Sequence, residues 1–145
     1  MRVVVQKCLY SSVSVDGKIV GEINNGLNVL VGFTQDDTIK DLEYCVRKIV
    51  NLRIFEDEEG VMNKSILEVG GEILSISQFT LYGSVKKGNR PSYVAALNGE
   101  QALPLYEKFN EMLSQYVNVK TGVFGAQMKV IIHNDGPTTI LIDSK

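Results

Sequence analysis

The run from Leu27 to Phe33, LNVLVGF, constrains the fold most, because nearly all of its side chains are apolar. A strand with one face in water alternates polar and apolar residues, whereas a strand covered on both faces does not. Other elements must therefore cover both sides of this segment. The chain has 145 residues, 44% of them hydrophobic, which is enough for one core, and we expect a single domain over residues 1–145.

The remaining pattern predicts more strands than helices. Period-2 and apolar runs bounded by turn residues predict strands, and apolar residues at three- and four-residue spacing predict helices. The predicted strands cover residues 2–15, 18–21, 27–33, 72–80, 117–124, 128–133 and 138–142, and the predicted helices cover residues 37–51 and 99–116. This order predicts an α+β fold, with a curved, barrel-like mixed β-sheet and two main helices packed on one side.

Charge and cysteine content exclude several classes of protein. A formal net charge of -2 with 22% charged residues fits neither a basic nucleic-acid coat protein nor an acidic disordered tail, so any nucleic-acid contact must be local. The first residues lack a secretory signal and no apolar run reaches the roughly 18 residues of a membrane helix, so we expect a soluble, cytoplasmic protein. Cys8 and Cys45 have no metal-ligand spacing, so we expect reduced thiols and no metal or cofactor.

The segment SQFTLYG, residues 77–83, places polar groups where a buried strand ends. If the strand continues through residue 80, alternation puts Ser77 and Phe79 on one face and Gln78 and Thr80 on the other. Free amides and hydroxyls at such a point can stabilise the developing negative charge of an acyl-transfer reaction. The pattern alone favours an edge strand whose hydroxyls cap a turn, and both interpretations stay open.

A protein-supplied catalytic base is poorly supported. His133 is the only histidine and lies in an alternating run that favours a structural or exposed role, and the chain has no G-x-S-x-G motif. Either the segment does no chemistry or the substrate brings its own reactive group. Residues 134–137, NDGP, taken alone predict a turn.

A compact basic loop, residues 86–91, follows the SQFTLYG segment. Its cations are Lys86, Lys87 and Arg90, and Tyr82 and Tyr93 flank it. This combination suits a few phosphates or a ribose, although a solvated loop would have the same composition.

Several ordered segments together resemble the D-aminoacyl-tRNA deacylase family. They are MRVVVQK, SVSVDGKIVGEI, SQFTLYG, KKGNRPSY, GVFGAQM and NDGPTTI, and they extend from Met1 to about Ile142. The resemblance implies a cytoplasmic homodimer whose active site lies near the subunit interface. It implies hydrolysis of the ester between a D-amino acid, or glycine, and the 3′-terminal ribose of mischarged tRNA, which is a chiral proofreading reaction in translation quality control.

The resemblance also implies residue roles. Ser77, Gln78, Phe79 and Thr80 would surround the aminoacyl group, with Phe79 and Thr80 catalytic. The family uses the 2′-hydroxyl of the terminal adenosine, so our hypothesis is that the Phe79 and Thr80 amides hold the substrate or its oxyanion, with the Thr80 hydroxyl secondary. Gly136-Pro137 matches a Gly-cis-Pro motif that reaches into the partner's site and rejects L-amino acids. Lys86, Lys87 and Arg90 would hold the tRNA acceptor end.

Three residues depart from the family's common pattern, and two other functions stay open. Lys7 stands where arginine is common near the Gly-Pro motif, Thr138 where valine is common and Gln127 where an acidic residue is frequent; the first two would loosen chiral selectivity. One alternative is a non-catalytic module that binds an RNA 3′ end or an aminoacyl group. The other is a cysteine hydrolase that uses Cys8 or Cys45, which lacks a nearby histidine in the sequence.

Overall fold

A computed structural model describes all residues from Met1 to Lys145. It contains eight strands, three α-helices and one short 3₁₀ turn. The strands are β1 Arg2–Val15, β2 Lys18–Ile23, β3 Gly26–Gly32, β4 Phe55–Glu56, β5 Met62–Lys64, β6 Glu72–Ser77, β7 Val119–Thr121 and β8 Lys129–Asp143. The helices are α1 Ile39–Asn51, α2 Ile66–Val69 and α3 Gly99–Ser114, and the 3₁₀ turn is Phe79–Tyr82.

The long strand β1 organises one mixed six-stranded sheet. Its first half pairs with β3 and its second half with β2, both antiparallel, while β8 pairs along its other edge. Strand β6 then pairs parallel with β3, and β7 parallel with β6. The sheet curves until β2 approaches β7, since a Cβ added at Gly21 would lie 2.6 Å from the Thr121 carbonyl oxygen. The predicted barrel-like mixed sheet is therefore confirmed.

Both faces of β3 are buried, as the run LNVLVGF predicts. Leu27, Val29 and Val31 belong to a core cluster of 21 buried residues that also contains the apolar faces of α1 and α3. A second cluster on the other face contains Cys8, Val13, Ile23, Leu74 and Ile76. Each fully buried aliphatic or aromatic side chain stabilises the fold by about 1.5–3 kcal/mol, so both faces of the sheet contribute to stability.

The two main helices begin at local capping signals. Thr38 precedes α1 and forms a capping box with Asp41, whose carboxylate accepts the Thr38 backbone amide at 2.8 Å. The Asn98 side chain accepts the Gln101 amide at the start of α3. Pro104 lies inside α3, where it is exposed, so the carbonyl left without a partner can be hydrated. Helix α1 starts two residues after its predicted start, and α3 ends two residues before its predicted end.

The prediction of separate closing strands was wrong. Only residues 119–121 of the first segment form a strand, and residues 129–143 form one continuous strand through the expected turn at 134–137. The pairing of β8 with β1 shifts register between Gln6 and Cys8 and between Cys8 and Tyr10. Because β1 continues as a partner on both sides of the shift, residues 134–137 are an irregularity within a strand pair.

The acidic segment 56–59 forms the turn of the β4–β5 hairpin, which the sequence did not predict as strands. The Asp57 carboxylate accepts the backbone amides of Glu59 and Val61 at 2.9 and 3.0 Å. These two hydrogen bonds to the Asp57 carboxylate therefore close the turn. No helix in the structure combines the length and the apolar character needed to cross a membrane.

Candidate active site

Strand β6 ends at Ser77, three residues before the predicted end. The Gln78 amide donates to the Val31 carbonyl at 2.7 Å, and β3 itself ends at Gly32, so no partner remains for a longer strand. The chain instead forms the 3₁₀ turn Phe79–Tyr82, here called the site turn. Its bonds run from the Leu81 amide to the Gln78 carbonyl at 3.2 Å and from the Gly83 amide to the Thr80 carbonyl at 2.9 Å.

This turn leaves the Phe79 and Thr80 amides without an acceptor in the chain. The hydrogen bonds within the turn are donated by later residues, and no side chain accepts from either amide. Two successive free N–H groups at the start of a helical turn attract negative charge. The segment therefore offers donors for an oxyanion, although it does so through a turn and not through the predicted extended strand.

A cavity of about 620 Å³ lies beside the site turn. Its walls come from the ends of β3 and β6, residues 93–99, the start of α3, and residues 124–130. Ser77, Gln78 and Phe79 line it, and Thr80 does not. Among its 18 lining residues, 12 are hydrophobic and none is Asp, Glu, His, Cys, Lys or Arg. The cavity can therefore hold an apolar acyl group, but it supplies no side-chain base.

The Thr80 hydroxyl is exposed and accepts a hydrogen bond from the Gln78 side-chain amide. His133 lies on β8 with its ring centroid 5.4 Å from that of Tyr10, and it is not among the cavity residues. This position agrees with the structural or exposed role predicted for His133. Neither residue has the nucleophile and base geometry of a triad.

The two cysteines are buried thiols. Burial raises the pKa of Cys8 to about 11 and that of Cys45 to about 12, so both stay protonated at neutral pH. A thiol is a nucleophile only as the thiolate. Because neither cysteine lines the cavity, the structure gives no support to the cysteine-hydrolase alternative.

Two aromatic side chains lie at the mouth of the cavity, and the basic loop joins the chain next to one of them. The rings of Phe79 and Tyr93 meet edge to face with centroids 5.1 Å apart, and the two side chains are 57% and 40% exposed. Ser84 and Ser92 exchange two backbone hydrogen bonds of 2.9 Å, which close the loop that carries the exposed Lys86, Lys87 and Arg90. The basic loop therefore starts and ends beside the cavity mouth.

Gly136 and Pro137 lie far along β8 and do not line the cavity of their own chain. The peptide bond between them is cis, as the resemblance implies, and both residues are exposed. The adjacent Asp135 carboxylate is 3.4 Å from the Lys7 ammonium, whose side chain is only 5% exposed. Lys7 thus anchors the segment that precedes the Gly-Pro pair.

Sequence reasoning assigned no role to several residues around the site. Phe124 and Met128 line the cavity from the GVFGAQM segment, which was recognised only as a motif. Arg2 donates to the Leu81 carbonyl of the site turn at 3.0 Å. The only sequence signal for Arg2 was one cation at the start of an apolar strand, and that signal does not identify a partner 79 residues away.

Comparison with known proteins gives one consistent result. The family model of D-Tyr-tRNA(Tyr) deacylase matches residues 4–143. A D-aminoacyl-tRNA deacylase of Clostridium botulinum strain Langeland is 58% identical and covers 100% of this chain and 98% of the relative. One of Clostridium acetobutylicum, also 58% identical, has the same coverage.

Two solved structures have the same fold. A c-Myc DNA unwinding element binding protein superposes with a TM-score of 0.95 at 46% identity, covering 100% of this chain and 99% of that chain. A probable eukaryotic D-amino acid tRNA deacylase superposes with a TM-score of 0.84 at 21% identity and covers 97% of each chain. Because the family model matches residues 4–143 and the relatives match over the full length of the chain, the chain belongs to the D-Tyr-tRNA(Tyr) deacylase family of hydrolases.

Proposed function

We propose that this chain hydrolyses the ester bond between a D-amino acid and the 3′-terminal ribose of mischarged tRNA. The observation that carries the proposal is a mostly apolar cavity with no side-chain base, beside a turn that has two free backbone donors. Such a site suits an ester that is already activated and has a reactive group of its own. An aminoacyl ester on a ribose meets this requirement, because the 2′-hydroxyl is adjacent to the reacting carbonyl.

The chemistry follows from this arrangement. Water, oriented by the 2′-hydroxyl, adds to the ester carbonyl, and the Phe79 and Thr80 amides hold the resulting oxyanion. The bond to the ribose 3′-oxygen then breaks, that oxygen takes a proton, and the free amino acid leaves. Ser77 and Gln78 complete the cavity wall next to the two amides. Loss of one oxyanion donor in other enzymes slows turnover by about 10²–10³-fold, so the two backbone amides can accelerate ester hydrolysis substantially.

Gly136-Pro137 would exclude L-amino acids from the cavity of a partner subunit. Two features support this part of the proposal: the pair is exposed, and it lies away from the cavity of its own chain. A homodimer would bring it to the opposite site. A steric filter against the L side chain has nothing to act on in glycine, so we also propose glycyl-tRNA as a substrate.

The first experiment compares release of amino acid from D-tyrosyl-tRNA, L-tyrosyl-tRNA and glycyl-tRNA at equal enzyme concentration, with buffer alone as the control. We expect rapid loss of the D-ester and the glycyl ester while the L-ester is spared. Equal loss of the D- and L-esters would contradict the Gly136-Pro137 filter. Release no faster than in buffer would contradict hydrolysis and favour a module that only binds an RNA 3′ end.

The acceptor end of tRNA would contact the basic loop, whose three cations are exposed and whose ends meet next to the cavity residue Tyr93. Each phosphate contact adds roughly 0.7 to the slope of log affinity against log salt for single strands. We expect Lys86→Glu with Lys87→Glu to weaken tRNA binding and to reduce this slope. Lys18→Glu with Lys40→Glu, on exposed positions of β2 and α1, is the matched control; an unchanged slope in the loop variant would contradict the contact.

A further inference from the structure

We propose that Arg2 is a positioning residue that holds the site turn, and with it the free Phe79 and Thr80 amides, in its reactive place. The role rests on the proposed hydrolysis. Arg2 lies outside the cavity and touches none of the groups assigned to the substrate, so it acts only through the turn.

The Arg2 guanidinium joins three groups. Its Nη1 donates to the Leu81 carbonyl oxygen at 3.0 Å, and its Nε and Nη2 donate to Asp143 Oδ2 at 3.0 and 2.8 Å. Its Cζ lies over the Tyr82 ring, 5.0 Å from the ring centroid. Only a planar fork can make all these contacts together. Leu81 and Tyr82 form the second half of the site turn, so Arg2 fixes this half to the end of β8.

The sheet places Arg2 beside the seat of the turn. In the register of β1, Arg2 lies opposite Gly32 of β3 on one side and Asp143 of β8 on the other. Gly32 leaves room for the turn, since a Cβ there would lie 2.9 Å from the Gln78 carbonyl oxygen and 3.1 Å from Leu81 Cβ. The turn therefore packs directly against the backbone of Gly32, and the Arg2 guanidinium holds it from the side.

This restraint matters because, beyond packing on Gly32, two hydrogen bonds join the turn to the rest of the protein: Gln78 to Val31 at its start and Arg2 to Leu81 in its second half. Its internal bonds define its shape, and Phe79 and Thr80 themselves are exposed. A displacement of about 1 Å in a positioning group can cost on the order of 10²-fold in rate, because oxyanion donors must meet the transition state within narrow limits. Release of the Arg2 contacts should therefore slow the chemical step more than it weakens substrate binding.

The test compares steady-state and single-turnover hydrolysis of D-tyrosyl-tRNA by the wild type, Arg2→Met and Arg2→Lys, with thermal unfolding of each. We expect kcat to fall by about 10–100-fold in Arg2→Met while KM changes by less than about threefold. Arg2→Lys should lie between the two, because an ammonium can reach one of the partners but cannot fork. Arg53→Met is the matched control: that arginine also donates to a backbone carbonyl, that of Asn63 at 2.9 Å, but in the β4–β5 hairpin.

Each outcome separates the positioning role from the proposed function. A wild-type protein without hydrolysis overturns both. An active Arg2→Met protein with unchanged kcat, or a loss matched by Arg53→Met, overturns the positioning role alone. If Arg2→Met does not fold, Arg2→Lys decides: a reduced kcat with unchanged KM supports the role, and wild-type kcat overturns it.

Discussion

The Thr80 hydroxyl accepts a hydrogen bond from Gln78, and no group able to remove its proton lies in the cavity beside it. Under the proposed function, Thr80 contributes its backbone amide, which a substitution of the side chain leaves in place. We therefore expect Thr80→Ala to retain turnover of D-tyrosyl-tRNA within about tenfold of wild type, in contrast to the roughly 10⁶-fold loss seen when a true nucleophile is removed. Single-turnover deacylation measures the effect.

Thr80→Val serves as the control for side-chain volume, because it removes the hydroxyl and keeps the branched shape. Both variants should bind tRNA and unfold as the wild type does. Complete loss of turnover in both, with fold and tRNA affinity intact, would return Thr80 to a chemical role.

Lys7 is a buried cation whose partner, Asp135, directly precedes the Gly136-Pro137 pair. Lys7→Met removes the only charged contact of Asp135, whose side chain is 41% exposed, so the segment loses its anchor and should move when the ammonium is lost. We expect Lys7→Met to lower the ratio of D-ester to L-ester hydrolysis by about tenfold, which corresponds to about 1.4 kcal/mol of lost discrimination. Rates on matched D- and L-tyrosyl-tRNA provide the measurement.

An exposed lysine on β2 offers the matched control for this substitution. Lys18→Met should leave the ratio unchanged. If Lys7→Met and Lys18→Met have the same ratio as the wild type, the ion pair does not control the Gly-Pro segment.

At the scale of elements, local sequence signals predict the bounds of the helices more accurately than the ends of the strands. The capping box at Thr38 and the apolar stripe of α1 lie within one stretch of sequence, so the predicted helix agrees with Ile39–Asn51 within two residues. The end of β6 depends instead on where its neighbour β3 stops, which alternation in β6 does not contain. In the same way, β8 crosses residues 134–137 because β1, more than 100 residues earlier, continues beside it.

The site residues also divide into those that the local sequence predicts and those that depend on distant parts of the chain. Ser77, Gln78 and Phe79 line the cavity because they lie at the end of a buried strand or just beyond it, and their contact with an aminoacyl group stays a prediction. The face assignment of residues 77–80 was wrong because it assumed an extended chain, and the site turn places Thr80 outside the cavity. The wall residues Phe124 and Met128 and the contact of Arg2 depend on tertiary packing, which a single sequence does not reveal.

Asp41 connects the start of α1 to the last residues of the chain. Burial raises the pKa of its carboxyl, but hydrogen bonds from the Thr38 amide, the Ser144 hydroxyl and the Lys145 ammonium outweigh burial and lower the pKa from 3.8 to about 2. The folded state thus binds the proton more weakly than the unfolded state. The stabilisation is present above about pH 4 and is lost as the pH falls through about 2, and it amounts to about 2 kcal/mol.

We therefore expect Asp41→Asn to lower the free energy of unfolding by about 2 kcal/mol at pH 7 and to converge on the wild type as the pH approaches 2. Urea unfolding at several pH values between 7 and 2 tests this. Glu43→Gln, at an exposed position of the same helix, should match the wild type throughout. A pH-independent difference between Asp41→Asn and the wild type would show that only packing, and not the charge, was lost.

At the scale of the whole molecule, the outer part of the sheet lacks a partner. Strand β8 pairs only with β1, so its second edge presents unpaired backbone groups along Lys129–Asp143. Three large apolar side chains on these two strands are more than half exposed: Leu9 at 58%, Ile131 at 54% and Leu141 at 60%. A long exposed edge with apolar side chains favours association with another chain, which supports the proposed homodimer.

Loss of the dimer should also remove the discrimination between D- and L-esters, because Pro137 does not line the cavity of its own chain. We expect the wild type to sediment as a dimer and Ile131→Lys to sediment as a monomer, since a charge in a self-complementary interface is repeated in both copies. The monomer should lose discrimination between D- and L-tyrosyl-tRNA. Val61→Lys is the control, since Val61 is 55% exposed but lies in the β4–β5 turn and not on β1 or β8. A wild-type monomer that still spares the L-ester would exclude a cross-subunit role for Pro137, because the filter would then have to act within one chain.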